Sequence, residues 1–355
     1  MGRVAIVKNS LTFTIAICSL NGENRLPATL KALFDQIPHG TPVIVIDDGS
    51  TDKTSEIAKQ YGATVIRHKV NMGYGQARQS ALKACQTEIL AFIDDECLVS
   101  VNWYEILSAK WEVMPSIIVA LGGPIIPSGK GLMTGYLQRH NPFAPVRSIN
   151  GSALQFKFRL SKYLFPRYEM NSGYIDSSGN GNLSFRTKAV SQLNGYNPNL
   201  ARGGEDEELC VRIRKNFGPK SIFYDEQLLV VHETKENFTS ALRRSSRYGE
   251  SSAQAWLRYG GVPTYLPLPV AFITVLILLS SYAPWSITIA FLIIYPVLLI
   301  KVKSLNAVTS ILNYLIDPYI RLILETSNNF GFLRGLITGI SSPSDRNQIY
   351  KIGFK

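Results

Sequence analysis

The stretch VIVIDDGSTDKT (43–54) joins an apolar run of β-branched residues to a group of acidic and small polar residues. The apolar run predicts a buried strand. The polar residues 50–52 are favourable at a helix N-cap, and the spacing predicts a helix over 51–62 that Gly62 ends. A strand that leads directly into a helix is typical of α/β folds.

Strands and helices alternate in the same way on both sides of this stretch. The pattern predicts three further strands, LTFTIAIC (11–18), ATVIRH (63–68) and EILAFIDD (88–95). It predicts helices in ENRLPATLKALFDQI (23–37) and GYGQARQSALKAC (73–85). Four strands that alternate with helices indicate βαβ units, and therefore a Rossmann-like, mainly parallel sheet with helices on both faces.

Polar residues follow three of the predicted strands. The three segments are CSLNGE (18–23), DDGSTD (47–52) and DDE (94–96). Ligands of such sheets bind beyond the carboxyl ends of the strands, so the three segments are expected to converge on one site. Taken alone, DDGSTD is equally consistent with a turn followed by a helix cap.

The three adjacent carboxylates of DDE (94–96) have two interpretations. One is a solvated turn. The other is a divalent cation site, because adjacent carboxylates repel one another unless a cation or solvent compensates. Carboxylate and diphosphate oxygens are the ligands that Mg²⁺ or Mn²⁺ prefers.

The glycine-rich segment NMGYGQAR (71–78) follows the third predicted strand and lacks the GxGxxG pattern of dinucleotide-binding proteins. By itself it indicates only that the backbone approaches another group closely. Arg78 follows the glycines on the predicted helix and could face a phosphate or a base.

A second acidic cluster occurs in GGEDEELCVRIRK (203–215), which predicts an amphipathic helix. Acidic side chains in the first turn of a helix are favourable because of the helix dipole, and this accounts for part of the cluster. It does not account for two preceding glycines and four consecutive acidic residues. The segment is therefore a second candidate functional site.

The composition is unusually apolar for a soluble protein. Hydrophobic residues make up 46% of the 355 residues, and residues 262–300 contain no charged side chain. This run is long enough for two transmembrane spans of about 20 residues each. Arginines before it, and Lys301 and Lys303 after it, predict a hairpin that enters and leaves from the cytoplasmic side.

The net charge of +11 indicates an acidic partner. An anionic membrane surface fits this charge. Nucleic acid is the rival partner, but the sequence contains no motif for its recognition, so we expect none to bind.

Residues 304–340 alternate apolar and polar side chains at helical spacing. We expect amphipathic helices that lie at the membrane interface and are interrupted at Pro318. Arg321 and Glu325 have the spacing of an i,i+4 ion pair. Residues 341–355 are expected to form a tail.

Four motifs occur together and in order: VIVIDDGSTDKT (43–54), NMGYGQAR (71–78), FIDDEC (92–97) and GGEDEELCVRIRK (203–215). Over about residues 12–250 the chain resembles the family 2 glycosyltransferases with the GT-A fold. This resemblance implies a UDP- or GDP-linked nucleotide-sugar donor, a divalent cation (Mn²⁺ or Mg²⁺) and transfer with inversion at the anomeric carbon.

The resemblance also implies roles for residues on the donor side. The residues that match positions near the nucleoside or its phosphates are Glu23, Asp48, Arg78, Asp94 and Asp95. DDE takes the place of the DxD metal motif of the family, with Asp94 and Glu96 as its outer members, and His232 is the third candidate metal ligand. Because the family usually has Asp at the second outer position, the direct ligand could be either Glu96 or Asp95.

The resemblance places the catalytic base at Asp206, which would take the proton of an acceptor hydroxyl. Glu205 would contact the acceptor or position the loop. In DSSGNGNLSFRTKAV (176–190), Gly181 and Asn182 match the segment that lines the acceptor side in the family. A glycine-rich turn into a strand is an equally good interpretation of that segment.

We therefore expect a GT-A domain over 1–255, with a nucleotide half over about 12–100 and an acceptor half over about 101–255. The expected function is inverting transfer of a sugar to a hydroxyl of a lipid-linked or growing glycan at the cell membrane, with the catalytic domain on the cytoplasmic side. Two alternatives remain open. One is a polyprenyl-phosphate sugar synthase, whose acceptor phosphate needs no general base; the other is a non-catalytic membrane protein that binds nucleotide sugars.

Overall fold

The computed structural model describes residues 11–145, 171–198, 200, 203–234, 236–259 and 308–340, with the single positions 274, 277, 278, 285 and 289. The strands of the described residues are β1 (Phe13–Ser19), β2 (Val43–Asp47), β3 (Thr64–Arg67), β4 (Ile89–Ile93), β5 (Cys97–Val99), β6 (Ala120–Gly122), β7 (Ile125–Ser128), β8 (Gly173–Tyr174), β9 (Asn182–Arg186), β10 (Ile222–Tyr224) and β11 (Val230–Glu233).

The helices of the same residues are α1 (Leu26–Phe34), α2 (Thr54–Gln60), α3 (Tyr74–Ala84), α4 (Trp103–Val113), α5 (Leu132–Arg139), α6 (Thr187–Gln192), α7 (Glu205–Phe217), α8 (Phe238–Tyr259) and α9 (Val308–Ile340). The four strands and three helices predicted up to residue 95, and the helix predicted after Gly204, are all present.

The main sheet has the strand order β3-β2-β1-β4-β9-β6-β10-β8. Strands β3, β2, β1 and β4 run parallel, as predicted, and β6 pairs in parallel with β10. Strand β9 lies antiparallel between β4 and β6, and β8 lies antiparallel at the edge. A second, smaller sheet has the order β5-β11-β7.

Alternate residues of the central strands enter two separate cores. On β1, Ile15 and Ile17 pack into one core with α1, whereas Ala16 packs into the other core with α3 and α7. Since side chains of a strand point alternately to opposite faces, this division places helices on both faces of the sheet. Helices therefore cover both faces of the sheet. Polar side chains that could meet a ligand are placed at the ends of its strands.

Helices α8 and α9 pack closely against each other. A Cβ atom at Gly249 of α8 would overlap the carbonyl oxygen of Asn328, and one at Gly331 of α9 would overlap that of Ser246. Glycine at these two positions allows the backbones of the two helices to approach each other.

Helix α9 does not break at Pro318, contrary to our expectation. It runs without interruption from Val308 to Ile340. The preceding residue, Asp317, is buried and accepts hydrogen bonds from Arg139 Nε at 2.6 Å and Nη2 at 2.7 Å. Proline removes one backbone hydrogen bond, and the packing of α9 against α8 and α5 offsets that cost. The predicted pair of Arg321 and Glu325 is present at 2.6 Å.

None of the helices in the described part of the chain is long and apolar enough to cross a membrane. The hairpin predicted over 262–300 lies outside the described residues except for the five single positions between 274 and 289. Those five positions are helical. Four of them, Ile277, Leu278, Trp285 and Ile289, are 55–69% exposed. The predicted tail over 341–355 also lies outside the described residues.

Candidate active site

A cavity of about 680 Å³ opens where β4, β11 and the N-terminus of α7 meet. The predicted site residues that line it are Arg78, Asp94, Glu96, Gly181, Glu205, Asp206 and His232. Of the three polar strand ends expected to converge, only DDE (94–96) contributes to the cavity lining. Residues of 18–23 and 47–52 contact neighbouring strand ends instead, since Ser19 Oγ donates to Asp95 and the Asn21 backbone amide donates to Ser50. Glu23, Asp48, Asp95 and Asn182 do not line the cavity.

The buried guanidinium of Arg78 joins the two acidic clusters. Its Nη2 donates to Asp94 Oδ1 at 3.1 Å, and its Nη1 pairs with Glu205 Oε1. Arg78 belongs to α3, Asp94 follows β4, and Glu205 begins α7. One guanidinium therefore holds the carboxylates of Asp94 and Glu205 together.

The pKa values of two acidic residues at the start of α7 are raised. Burial raises the pKa of Glu205 to about 7, although the charge of Arg78 opposes this. Burial also raises the pKa of Asp206, again against the effect of Arg78. A carboxylate with a raised pKa is a stronger base than a solvated one, so this end of the cavity is suited to proton transfer.

The two glycines before α7 are required by the backbone and by packing. Gly203 and Gly204 have φ values of +121° and +82°, which disfavour other residue types. A Cβ atom at Gly204 would also lie 2.5 Å from Ser251 Cβ of α8. The glycines thus bring Glu205 and Asp206 close against α8.

The three carboxylates of DDE are placed in two different environments. Asp94 and Glu96 have side chains that are 38% and 37% exposed and line the cavity. Asp95 is buried away from it, where it accepts hydrogen bonds from Ser19 Oγ at 2.5 Å and Arg25 Nη2 at 2.8 Å. The sequence left open whether Glu96 or Asp95 is the direct metal ligand. Of these two residues, only Glu96 faces the cavity.

Glu96 forms an ion pair with His232 of β11, with 3.1 Å between Oε1 and Nε2. Burial alone would raise the pKa of Glu96, but the hydrogen bond and charge of His232 outweigh it and lower that pKa. The same pair raises the pKa of His232 against the effect of burial. Phe143 stacks on the imidazole, with 5.0 Å between the ring centroids.

Within the described residues, no group of three or more His, Cys, Asp or Glu side chains is arranged to hold a metal ion. The three predicted ligands line one cavity, but Glu96 is paired with His232, and Asp94 is paired with Arg78. A preassembled three-ligand site is therefore not present. Two cavity-facing carboxylates still fit a Mg²⁺-like ion, which is commonly held by one or two carboxylates together with substrate phosphates.

Asp48 and Glu23 organise loops near the carboxyl ends of β1 and β2. Asp48 accepts backbone hydrogen bonds from Met72 at 3.0 Å and Gly73 at 2.8 Å, and His68 Nδ1 lies 2.6 Å from its Oδ1. Glu23 Oε2 accepts a hydrogen bond from the backbone of Lys53 at 3.2 Å. Asp48 therefore fixes the shape of the glycine-rich loop.

Gly181 and Asn182 have different surroundings. A Cβ atom at Gly181 would lie 2.8 Å from Asp94 Oδ2, so glycine leaves room for that carboxylate. Asn182 accepts a hydrogen bond from Trp103 Nε1 at 3.1 Å and donates to the carbonyls of Pro124 and Leu228 at 3.1 and 2.5 Å. Its amide is thus used to join the two sheets.

Several cavity residues were not predicted from the sequence. Ser178 and Asn180 line the cavity next to Gly181, and Arg244, Arg247 and Tyr248 line it from α8. The arginines belong to the basic residues before the apolar run, which in the sequence predict only the orientation of a membrane hairpin. Nothing in the sequence distinguished Ser178 and Asn180 from ordinary polar turn residues.

Comparison with known proteins agrees with this architecture. Residues 14–173 match the family described as "Glycosyl transferase family 2". The chain has the same fold as a mannosyltransferase from Pyrobaculum calidifontis solved in complex with GDP-Man and Mn²⁺, with a TM-score of 0.60, 13% sequence identity and coverage of 93% of this chain and 88% of that one.

Two curated relatives extend the comparison. The pre-mycofactocin glycosyltransferase of Mycobacterium tuberculosis is 26% identical over 223 residues, which cover 62% of this chain and 43% of that protein. The glucosyl-dolichyl phosphate glucuronosyltransferase of Haloferax volcanii is 21% identical over 239 residues, which cover 63% of this chain and 69% of that protein. The match thus spans less than half the length of the first relative. The chain has the α/β GT-A glycosyltransferase fold with a mostly parallel sheet, and its residues 14–173 are similar to the glycosyl transferase family 2.

Proposed function

We propose that the protein transfers a sugar from a nucleotide-sugar donor to a hydroxyl group of an acceptor, with inversion at the anomeric carbon. The observation that carries this proposal is the shared cavity of Asp206, a carboxylate with a raised pKa, and the cavity-facing carboxylates Asp94 and Glu96. A base and a cation-binding edge in one cavity are what a displacement at a sugar carbon requires. The names of the two relatives described above, a glycosyltransferase and a glucuronosyltransferase, support the same reaction class.

Asp206 acts as the general base in this proposal. As the acceptor hydroxyl oxygen forms its bond to the anomeric carbon, the hydroxyl proton passes to the Asp206 carboxylate. The bond between that carbon and the diphosphate oxygen breaks, and its electron pair leaves with the nucleoside diphosphate. Attack opposite to the leaving group gives inversion. A base held by the Glu207 amide, which donates to Asp206 Oδ1 at 2.8 Å, is positioned before the acceptor arrives.

Asp94 and Glu96 would hold a divalent cation together with the donor diphosphate, and His232 is a possible further ligand if its pair with Glu96 opens. When bound, the cation supplies positive charge that stabilises the leaving diphosphate. The Mn²⁺ in the mannosyltransferase of the same fold supports this assignment. Arg78, which pairs with both acidic clusters, would turn toward a donor phosphate when a cation replaces it at Asp94.

The donor nucleoside would lie beyond the cavity, near the carboxyl ends of β1 and β2. Glu23 and Asp48 are placed there, and the loop that Asp48 shapes carries the exposed side chains of Met72 and Tyr74. The mannosyltransferase was solved with GDP-Man, which supports a nucleoside-diphosphate sugar as the donor.

We further propose that the acceptor is a lipid-linked or growing glycan and that the protein works at the cell membrane with its catalytic domain on the cytoplasmic side. Residues 262–300 lack charged side chains, and four helical positions among them are exposed and apolar. Helix α9 adds an exposed apolar row of Ile323, Phe330, Leu333 and Ile337 that suits an interfacial position. The relative named for glucosyl-dolichyl phosphate supports an acceptor of this type.

The decisive experiment replaces Asp206 by Asn. We expect sugar transfer to fall by about 10²- to 10⁴-fold, because a general base is lost, while the affinity for the nucleotide sugar is retained. Glu207→Gln is the matched control, since Glu207 is an adjacent carboxylate that also lines the cavity. Donor consumption and product formation are followed with and without acceptor.

Retained transfer in the Asp206→Asn variant would contradict the hydroxyl acceptor and favour the polyprenyl-phosphate sugar synthase, whose acceptor oxygen is already ionised. If no nucleotide sugar is consumed by the wild-type protein with any acceptor, the non-catalytic alternative is favoured instead.

A further inference from the structure

His68 joins the end of a strand to the side of a helix, away from the cavity. Its Nδ1 lies 2.6 Å from Asp48 Oδ1, and its Nε2 lies 2.9 Å from Ser80 Oγ. Asp48 follows β2, His68 follows β3, and Ser80 belongs to α3. The side chains of His68 and Asp48 are only 10% and 7% exposed. Bulk water therefore competes little for these contacts.

The carboxylate of Asp48 holds the glycine-rich loop through two backbone amides. Its Oδ1 accepts a hydrogen bond from Met72 at 3.0 Å, and its Oδ2 accepts one from Gly73 at 2.8 Å. Gly73 is the N-cap residue of α3, so the carboxylate also lies at the positive end of the helix dipole. A Cβ atom at Gly49 would lie 2.5 Å from the carbonyl carbon of Val70, so the loop also packs directly on the residue after Asp48. The position of the loop thus depends on the orientation of one carboxylate.

The ring of His68 fixes that orientation from the other side. An ionised carboxylate only accepts hydrogen bonds, so Nδ1 carries a proton where it meets Asp48. The hydroxyl of Ser80 holds the second ring nitrogen. An imidazole that is held at both nitrogens cannot rotate without losing a buried hydrogen bond, which is unfavourable. His68 therefore keeps the Asp48 carboxylate in one position relative to α3.

The loop that Asp48 holds reaches from the proposed nucleoside position to the cavity. Met72 and Tyr74 are 46% and 47% exposed. Tyr74 also lines the cavity, and Cζ of Arg78 lies 5.6 Å from the centroid of its ring. A shift of the Asp48 carboxylate would therefore move side chains that the nucleoside is expected to meet.

We propose that His68 is a positioning residue for the nucleoside of the donor. It does not touch the nucleoside or the reacting atoms. It orients Asp48 and, through Asp48, the glycine-rich loop on which the nucleoside binds, while Ser80 holds the ring. This role rests on the proposed glycosyltransferase function and deepens it, because it adds two residues that determine the affinity for the nucleoside part of the donor.

The test compares two amide replacements of His68 in the full chain. His68→Asn places an amide near the position of Nδ1, where it can still donate to Asp48. His68→Gln places an amide near the position of Nε2, where it can reach Ser80 but not Asp48. His39→Asn is the matched control, because His39 is exposed and precedes β2 at the opposite end of that strand.

Dissociation constants for UDP, GDP and inorganic diphosphate are measured by calorimetry with Mn²⁺. The quantity compared is the ratio between the affinities for the nucleotide and for inorganic diphosphate, because this ratio reports contacts to the nucleoside alone. His68→Gln should lower the ratio by about 3- to 10-fold, as expected for the loss of one buried hydrogen bond. His68→Asn should restore it to within about twofold of the wild type, because the bond to Asp48 is kept. The control should leave it unchanged.

Ser80→Ala supplies a milder variant that keeps the ring and removes its second partner. It should lower the ratio by about 2- to 5-fold, since the imidazole can then rotate away from Asp48. If His68→Gln is too unstable to measure, this variant decides the question, and an unchanged ratio in Ser80→Ala overturns the role.

A double substitution tests whether His68 acts through Asp48. In the Asp48→Asn background, His68→Gln should lower the ratio by less than it does in the wild type, because the carboxylate that it orients is already absent. An equal reduction in both backgrounds would overturn the role, since the effect would then bypass Asp48.

A purely structural histidine would give a different pattern. His68→Gln would then lower the thermal midpoint and leave the ratio unchanged, or His68→Asn would lower the ratio as much as His68→Gln. Either result overturns the positioning role while the proposed function stands. A wild-type protein that binds neither UDP nor GDP would overturn the proposed function and this role with it.

Discussion

Asp94, Asp95 and Glu96 are adjacent in the chain, yet the fold gives their carboxylates different partners. Asp95 is buried against Ser19 and Arg25, whereas Asp94 and Glu96 face the cavity. Asp95 and Glu96 lie in a turn between β4 and β5 that the Cys97 amide closes by donating to the Asp94 carbonyl at 3.0 Å, and this turn directs the middle carboxylate away from the other two. The unusual Glu at the second outer position is therefore the one that reaches the cavity.

These different environments predict that one substitution lowers stability and the other changes the Mn²⁺ requirement. Asp95→Ala removes the acceptor of two hydrogen bonds, one of them from a charged group, and should lower the free energy of unfolding by about 1–3 kcal/mol. Glu96→Gln should change stability by less than about 1 kcal/mol and raise the Mn²⁺ concentration needed for half-maximal transfer. Urea unfolding and Mn²⁺ titration measure the two effects. Equal losses of stability in both variants would contradict the separate roles.

Glu205 predicts a pH dependence of stability. Burial raises its pKa from 4.5 to about 7, so the folded protein keeps this proton between these pH values while the unfolded chain releases it. The stability that this group contributes is fully present below its unfolded pKa and is lost as the pH rises to about 7. Glu205→Gln removes the titrating group, so its free energy of unfolding should fall less between pH 5 and pH 8 than that of the wild type.

Urea unfolding at pH 5 and pH 8 tests this expectation. Glu226→Gln is the control, because Glu226 is exposed and lies outside the cavity. If the wild type and Glu205→Gln lose equal stability over this interval, Glu205 is ionised throughout and its pair with Arg78 dominates over burial.

At the scale of elements, the pairing of α8 with α9 depends on glycines that let the backbones approach, beside a ring contact of Trp256 with Phe332 at 6.2 Å between centroids. The backbone of α8 at Gly249 approaches that of α9 near Asn328, and Gly331 approaches Ser246 in return. Helix α8 also presents Arg244, Arg247 and Tyr248 to the cavity. The position of these cavity residues is thereby linked to the packing of the C-terminal helix.

Gly249→Ala should separate the two helices. The added methyl group meets the Asn328 carbonyl, which cannot move without shifting α9, and overpacking of this kind costs about 1–3 kcal/mol. Thr338→Ala, on the exposed side of α9, is the matched control and should leave stability within about 0.5 kcal/mol. Thermal unfolding and limited proteolysis of α9 provide the measurement. A Gly249→Ala protein as stable as the control would mean that the helices do not pack this closely.

At the scale of the whole molecule, the proposed catalytic domain is followed in the chain by an apolar segment. The cavity lies between β4, α7 and α8, and α8 leads toward residues 262–300. In such an arrangement, a membrane-bound acceptor and the enzyme would lie on the same membrane surface. Their diffusion toward each other would then be confined to that surface.

The proposed hairpin predicts tight membrane retention. The full chain should stay in the membrane pellet after high-salt and carbonate washes, because two spans of about 20 apolar residues do not leave a bilayer. The double substitution Leu278→Arg and Ile289→Arg should shift the protein toward the supernatant, since each arginine costs about 2.5–3.5 kcal/mol on insertion. Val113→Arg, at an exposed apolar residue of α4, is the control. Extraction of the wild type by carbonate would contradict the hairpin.

Much of the nucleotide half could be predicted because its signals are local. The alternation of β1–β4 with α1–α3 follows from hydrophobic spacing and from caps and glycines such as Gly62. The antiparallel insertion of β9 between β4 and β6 could not be predicted, because it joins segments that are about 60 to 90 residues apart. The continuous course of α9 through Pro318 was also missed, since its support comes from Arg139 of α5.

By itself, the sequence determined the order of strands and helices in the first hundred residues, the polar strand ends and the residue types available for a cation, a base and a membrane segment. Tertiary structure alone decided which carboxylates face one another. It buried Asp95 and joined Arg78 to Asp94 and Glu205. The reason is physical: spacing along the chain sets local conformation, whereas desolvation and charge pairing depend on neighbours that only the folded chain brings together.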